Sequence, residues 1–309
     1  MGETLIDWAD VVWNPITGCT KVGPGCDHCY AERMAKRLAG RAGYRQDDPF
    51  KVTFHDGDKL FLPVTWRSAR RVFVNSMGDL FHSDVEDNWI DDVMDIIIHH
   101  PQHAFMVLTK RPWRMHEYFH RLYDGGWISA EDGYAKGHHE PIPNLWLGVT
   151  TENQEMADKR IPILLQVPAA VRFVSVEPML GPVDLAQWLS VTPRDFYARQ
   201  LVDGRIQSGY DRNKLSWVIV GGETGPGARP MHPDWVRSVR DQSQAAGVPL
   251  FFKSWGEWVS AGPYFGDGPD PIGRLGEVDG HPVQRVGKRA AGHLLDNREW
   301  RQFPEVSRS

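Results

Sequence analysis

Three residues of one type, set close together, carry the first chemical signal. Cys19, Cys26 and Cys29 are the only cysteines in a chain of 309 residues. All three lie in the stretch Gly18-Cys19-Thr20-Lys21-Val22-Gly23-Pro24-Gly25-Cys26-Asp27-His28-Cys29-Tyr30. Three thiols cannot close into a disulfide set, so in a reducing compartment they read as ligands or reactive groups. Thiolates are soft donors suited to zinc and to iron–sulfur clusters. A structural zinc would need a fourth ligand, which His28 or a distant histidine can supply. A four-iron cluster held by three thiolates keeps one iron open to a chelating small molecule. Gly18, Gly23 and Gly25 let backbone amides turn toward such a group.

A second set of polar residues stands directly after apolar runs. Lys110, Glu177, Glu223 and Lys253 are the candidate catalytic residues: two carboxylates and two ammonium groups in one pocket would perturb one another's protonation and hold a polar substrate. The competing reading is a ring of structural ion pairs. Arg229, after Gly225-Pro226-Gly227, can hold a carboxylate or phosphate. Trp255 and Trp258 can wall a cavity or stack a base, although core packing is the commoner use of tryptophan. His138-His139 reads as a solvated loop pair, since adjacent side chains point apart.

Positioning these residues requires a regular frame, and the apolar pattern supplies one. Residues 8–13 predict a short strand ended by Asn14-Pro15, followed by the cysteine loop and a helix over 30–40 with Tyr30, Met34 and Leu38 on its apolar face. The rhythm repeats with strands predicted at 71–75, 103–109, 145–150, 171–176, 215–220 and 248–252. Helices stand between them, with Trp89, Val93, Ile96 and Ile97 as one stripe, Met156, Ile161 and Leu164 as another, and Trp235, Val236 and Val239 as a third. Ser83 and Glu86 suggest a capping box. Residues 123–143 read as a loop and 184–214 as mixed. Near-continuous apolar strands alternating with helices predict an α/β fold with a parallel sheet covered by helices. The expected form is a full or partial (β/α) barrel of six or seven strand–helix units over residues 1–260, favoured over a doubly wound open sheet because almost every strand ends in polar or charged residues, with its chemistry at the C-terminal strand ends. A Gly- and Pro-rich extension, 261–309, is expected to pack on it without a further strand, its last ordered piece near 288–300.

Composition narrows the class. Apolar residues make up 41% and charged residues 24%, enough for a full core. The formal charge of −5 gives no general nucleic-acid signature, although Lys110-Arg111 and Arg289 are local basic clusters that could make contacts. No apolar run is long enough to span a bilayer, and the N-terminus has no signal pattern. The expectation is a cytoplasmic protein without a membrane partner.

The cysteine loop after the first strand of a parallel barrel resembles the radical S-adenosylmethionine (SAM) superfamily. The usual spacing there is Cys-x3-Cys-x2-Cys with an aromatic before the third cysteine; here the first gap is six residues and His28 takes the aromatic position. The chain more closely resembles a phage and bacterial radical-SAM-like three-cysteine family without an assigned substrate. The resemblance runs through Trp13-Asn14-Pro15-Ile16-Thr17-Gly18-Cys19, Cys26-Asp27-His28-Cys29-Tyr30-Ala31-Glu32, Phe73-Val-Asn-Ser-Met-Gly-Asp79-Leu-Phe-His82 and Leu108-Thr-Lys-Arg-Pro112. It continues through Ser175-Val-Glu-Pro178, Gly221-Gly-Glu223, Gly287-Lys-Arg-Ala-Ala-Gly292 and Leu295-Asp-Asn-Arg-Glu-Trp300. It implies a 4Fe-4S cluster on Cys19, Cys26 and Cys29, with SAM as the second cofactor. Ser76, Met77, Gly78 and Asp79 would hold the SAM amino group, and Thr150, Glu152 and Asn153 the ribose. For Asp79 and Glu152 the alternative is a first-turn acid of the next helix. Reductive cleavage of SAM would yield a 5′-deoxyadenosyl radical that abstracts hydrogen from the substrate, fed by a flavodoxin- or ferredoxin-type reductant. The host would be a bacterium or its phage, and the substrate stays open among a nucleotide, a nucleic acid and a peptide. Two rivals stay open: a zinc-stabilised binding protein on the same barrel, and a nucleic-acid-processing enzyme with a structural cluster and a divalent ion at Asp79, Glu177 and Glu223.

Overall fold

The structure, a computed structural model, describes residues 4, 6–125, 141–189, 201–202, 205–206, 214–261 and 274–305. Residues 138–139, and parts of the 123–143 and 184–214 stretches, lie outside the described residues. The strands are β1 (Val11–Trp13), β2 (Ile16–Thr17), β3 (Thr53–Phe54), β4 (Arg71–Val74), β5 (Ala104–Thr109), β6 (Leu145–Thr150), β7 (Val171–Val176), β8 (Leu201–Val202), β9 (Arg205–Ile206), β10 (Trp217–Gly221), β11 (Leu250–Ser254), β12 (Trp258–Ser260), β13 (Leu275–Val278), β14 (His281–Arg285), β15 (Leu294–Leu295) and β16 (Arg298–Glu299). Seven of them form one sheet in the order β1-β4-β5-β6-β7-β10-β11. The order follows the chain, the registers run parallel, and helices lie between. This is the partial α/β barrel that the apolar pattern predicts. β6 and β7 are buried at every residue, as strands covered on both faces must be.

The chain divides into two compact units. One comprises Met1–Val22, Ala31–Val149 and Arg160–Arg172; the other comprises Gly23–Tyr30, Thr150–Lys159 and Phe173–Ser309. Cys19 therefore belongs to the first unit, and Cys26 and Cys29 to the second. In the first unit Trp13 is fully buried with its ring centroid 5.7 Å from that of Phe105, and its indole N–H donates to the Lys59 carbonyl at 2.8 Å. In the second, Trp217 takes the same role among Phe173, Phe251 and Phe303. Trp13 and Trp217 are thus core residues. Trp258 is also buried, and its indole N–H donates to the Ala228 carbonyl.

Four expectations are corrected. The helix Tyr30–Arg37 buries Ala31 and Ala35, while Tyr30 is 53% exposed and Met34 and Leu38 are half-buried. The helix Asp87–Ile98 begins one residue after Glu86, whose side chain makes no cap, and Ser83 bonds Asp84 instead of closing a capping box. Its buried stripe includes Ile90 and Met94 beside Val93, Ile96 and Ile97, while Trp89 is half-buried and stacks on Phe54 at 5.2 Å. Finally, the C-terminal region does carry strands: β13 and β14 form an antiparallel hairpin that β12 joins. Asp279 and Gly280 both have positive φ at its turn (49° and 76°), the geometry that an Asp-Gly hairpin loop favours. Among the described residues no helix is long and apolar enough to cross a membrane.

Candidate functional site

In the first unit, the segment after β4 grips the entry to the cysteine loop. The Asn14 side-chain oxygen accepts from Ser76 Oγ at 3.2 Å and from the Met77 amide at 3.0 Å. Asn75, in the left-handed region at φ 56°, accepts the Ile16 amide at 3.1 Å. The Gly18 amide donates to the Met77 carbonyl at 2.9 Å. Gly18 has φ +89°, and a Cβ there would stand 2.2 Å from the Lys51 carbonyl oxygen, so only glycine fits. Ser76, Met77 and Gly78, expected to meet the cofactor, are placed against the Asn14 side chain and the Ile16–Gly18 backbone.

Asp79 is buried and uses all its acceptor positions within the chain. Its Oδ1 accepts from Thr109 Oγ1 at 2.7 Å and the Phe81 amide at 3.0 Å; its Oδ2 accepts from Arg111 Nη1 at 3.0 Å and the Lys110 amide at 3.3 Å. Arg111 then reaches the cysteine loop. Its Nη1 donates to Cys19 Sγ at 3.3 Å, and its Nη2 to Thr20 O at 2.9 Å and Thr20 Oγ1 at 3.0 Å. His82 Nδ1 accepts the Asp84 amide, which leaves Nε2 to donate to Thr20 Oγ1 at 2.8 Å. Burial alone would lower the Arg111 pKa, but Asp79 and Cys19 beside it raise it above the ordinary value. A guanidinium at the sulfur favours the thiolate that a metal requires.

In the second unit, Pro24–Cys26 is a single 3₁₀ turn, with the Cys26 amide bonded to Gly23 O at 2.9 Å and that of Asp27 to Pro24 O at 3.3 Å. Glu223 reaches it from beyond β10. Its Oε2 accepts from His28 Nδ1 at 3.1 Å, the Arg229 amide at 2.8 Å and Arg229 Nε at 2.9 Å; its Oε1 accepts from Arg229 Nη2 at 2.7 Å. Burial pushes the Glu223 carboxyl up, but the bonds from Arg229 and His28 outweigh it and hold it below the ordinary value. Arg229 also donates from Nη2 to Pro24 O at 2.8 Å and from Nη1 to Asp27 at 3.1 Å. Its guanidinium, read from sequence as a holder of a carboxylate or phosphate, is committed to the chain. His28, which would complete a zinc set, gives Nδ1 to Glu223. Its Nε2 would lie 3.0 Å from a Cβ built on Gly227.

Thr150 and Glu152 are buried, and Asn153 Oδ1 accepts the Met156 amide at 3.0 Å in the first turn of the helix Gln154–Leu164. The Glu152 carboxylate lies behind Gly25: a Cβ on Gly25 would be 2.4 Å from Glu152 Oε1. Gly25→Ala is therefore expected to cost about 1–3 kcal/mol, the usual range for overpacking. In a denaturant-melt cycle with Glu152→Ala, the double variant should recover most of that loss; simple additivity would refute the contact.

Of the four candidate catalytic residues, two meet. Lys253 lies within β11 instead of after it, and its Nζ donates to Glu177 Oε1, both side chains being mostly buried. Glu223 takes its partners from the cysteine loop and Arg229. Lys110, half-buried, gives its amide to Asp79. Sequence reading singled out neither Arg111 as a cysteine partner nor Arg229 as a loop clasp. The available signal was their place beside strand-end residues already chosen, next to Lys110 and six residues after Glu223. Among the described residues no group of three His, Cys, Asp or Glu side chains is gathered as a metal site. The three thiols are not in disulfides and are partly exposed.

These features define a class: a parallel α/β protein whose three-cysteine loop is gripped by two arginine–carboxylate pairs. The chain belongs to the family described as Protein of unknown function (DUF5131), which matches residues 3–304. No curated protein matches it. Among solved structures it is similar to a tyrosine-to-phenylalanine mutant of spore photoproduct lyase, at 11% identity and a TM-score of 0.35. That likeness covers 87% of this chain and 66% of the other.

Proposed function

We propose that this chain is a radical SAM-type enzyme whose Cys19, Cys26 and Cys29 hold a 4Fe-4S cluster. The observation that carries the reading is the loop itself: three reduced, partly exposed thiols between the first strand of an in-order parallel sheet and the helix Tyr30–Arg37. The donor set fits the group, since the thiols are soft ligands and Arg111 sets positive charge at Cys19 Sγ. When bound, the cluster supplies one electron for reductive cleavage of SAM, and hence the radical that takes hydrogen from the substrate. The chain's own residues position and screen. Asp79 fixes Arg111, Arg111 fixes Cys19 and Thr20, and Glu223 with Arg229 fixes the Pro24–His28 turn. The Glu177–Lys253 pair offers a carboxylate and an ammonium to a polar substrate. The electron comes from a flavodoxin- or ferredoxin-type reductant.

Anaerobic reconstitution tests the reading. The expected result is about four irons and four sulfides per chain, with 5′-deoxyadenosine released on adding SAM and dithionite. Cys26→Ser should lose both. Protein that binds one zinc and no iron, or that binds a cluster yet leaves SAM intact, would sink it.

A further inference from the structure

The C-terminal sheet, which sequence reading did not foresee, touches the loop that holds the cysteine turn. Gly225 is fastened from two sides: its amide donates to Glu257 Oε1 at 2.8 Å, and its carbonyl accepts from Arg285 Nη2 at 2.9 Å. Trp258 Nε1 donates to the Ala228 carbonyl at 2.7 Å, and the Glu257 amide to the Glu223 carbonyl at 3.2 Å. Gly222 and Gly256 approach so closely that a Cβ on Gly222 would stand 2.2 Å from the Trp255 carbonyl oxygen. Arg285 is on β14, Trp258 starts β12, and Glu257 precedes it. The loop 223–229 is therefore braced by β12 and β14 on one side. On the other it delivers Arg229 to Pro24 and Asp27 and Glu223 to His28.

We infer that Arg229 is a positioning residue: with Glu223 it clasps the Pro24–His28 turn to a loop braced by the C-terminal sheet, and so sets where Cys26 and Cys29 stand. The importance of that placement rests on the cluster reading above, but the clasp itself does not. A free surface arginine would waste its fork on water. This one spends Nε, Nη1 and Nη2 on three separate groups of two chain segments about 200 residues apart in sequence. Lysine cannot reproduce that fork.

Hydrogen exchange on the unloaded full chain decides the clasp. Arg229→Ala should speed exchange of the Cys26 and Asp27 amides roughly tenfold to a hundredfold, as expected when hydrogen bonds to charged groups are lost from a local opening unit. Arg229→Lys should fall between the variant and the wild type, and Arg285→Ala should raise the same peptide to a smaller degree. Unchanged exchange at Cys26 and Asp27, or an equal rise across the whole chain, overturns the proposal. A second arm uses reconstituted protein. Arg229→Ala should bind iron with an altered electron paramagnetic resonance line shape, and a signal identical to wild type overturns the link to the cysteines. If the wild type takes up no iron, the cluster reading fails while the exchange result still judges the clasp.

Discussion

Replacing Asp79 by alanine is expected to cost the unloaded protein roughly 3–5 kcal/mol, the range for removing one partner of a buried ion pair. Thr109 Oγ1, the amides of Phe81 and Lys110, and Arg111 Nη1 all point at this one carboxylate. Alanine removes the acceptor for all four, and Arg111 keeps its charge with 13% of its side chain exposed. Asp79→Asn should lose less, since Oδ1 can still accept while the amide faces the arginine unfavourably. The measurement is the denaturant midpoint of the metal-free chain, with the slope unchanged. A residue whose business was only to meet SAM would leave that midpoint where it was, and such a result would return Asp79 to the cofactor.

The second large effect belongs to the core of the other unit. Trp217→Ala should destabilise by roughly 3–5 kcal/mol, a large share of the 5–15 kcal/mol typical of a folded domain. Trp217 is fully buried and its ring centroid lies 5.3 Å from Phe303, 5.7 Å from Phe173 and 6.2 Å from Phe251. Its Nε1 donates to the Gln302 carbonyl at 2.9 Å, tying the C-terminal segment to β10. Truncation leaves both a cavity and a carbonyl without its donor. Trp217→Phe keeps most of the packing and loses the bond, so its loss should be about 1–2 kcal/mol. Equal losses for the two variants would mean that the hydrogen bond, and not the ring, is what β10 depends on.

The strands were legible because burial on both faces demands near-continuous apolar residues, and β5, β6, β7 and β10 have them. The helices between were legible from the spacing of Val93, Ile96 and Ile97, and of Val236 and Val239. Where small residues carry the packing the pattern misled. The helix Tyr30–Arg37 packs through Ala31 and Ala35, which carry little periodic signal yet allow close approach. β13 escaped for the opposite reason: Leu275, Gly276 and Glu277 are exposed, so no core selects their types, and only Asp279-Gly280 announced the hairpin.

By itself the sequence determined the three-cysteine loop, its place between a strand and a helix, and the alternation of parallel strands with helices, because these depend on residue type and local spacing. Tertiary structure decided the partners. Arg111 is 92 residues from Cys19 and Arg229 is 205 from Pro24, and a guanidinium can pair with any carboxylate the fold brings within reach. Asp79 and Glu223 look alike as acids after strands, and their four bonds each come from donors that only folding gathers. The reason is physical: apolar periodicity is written residue by residue, whereas the choice of ion-pair partner belongs to the packed chain.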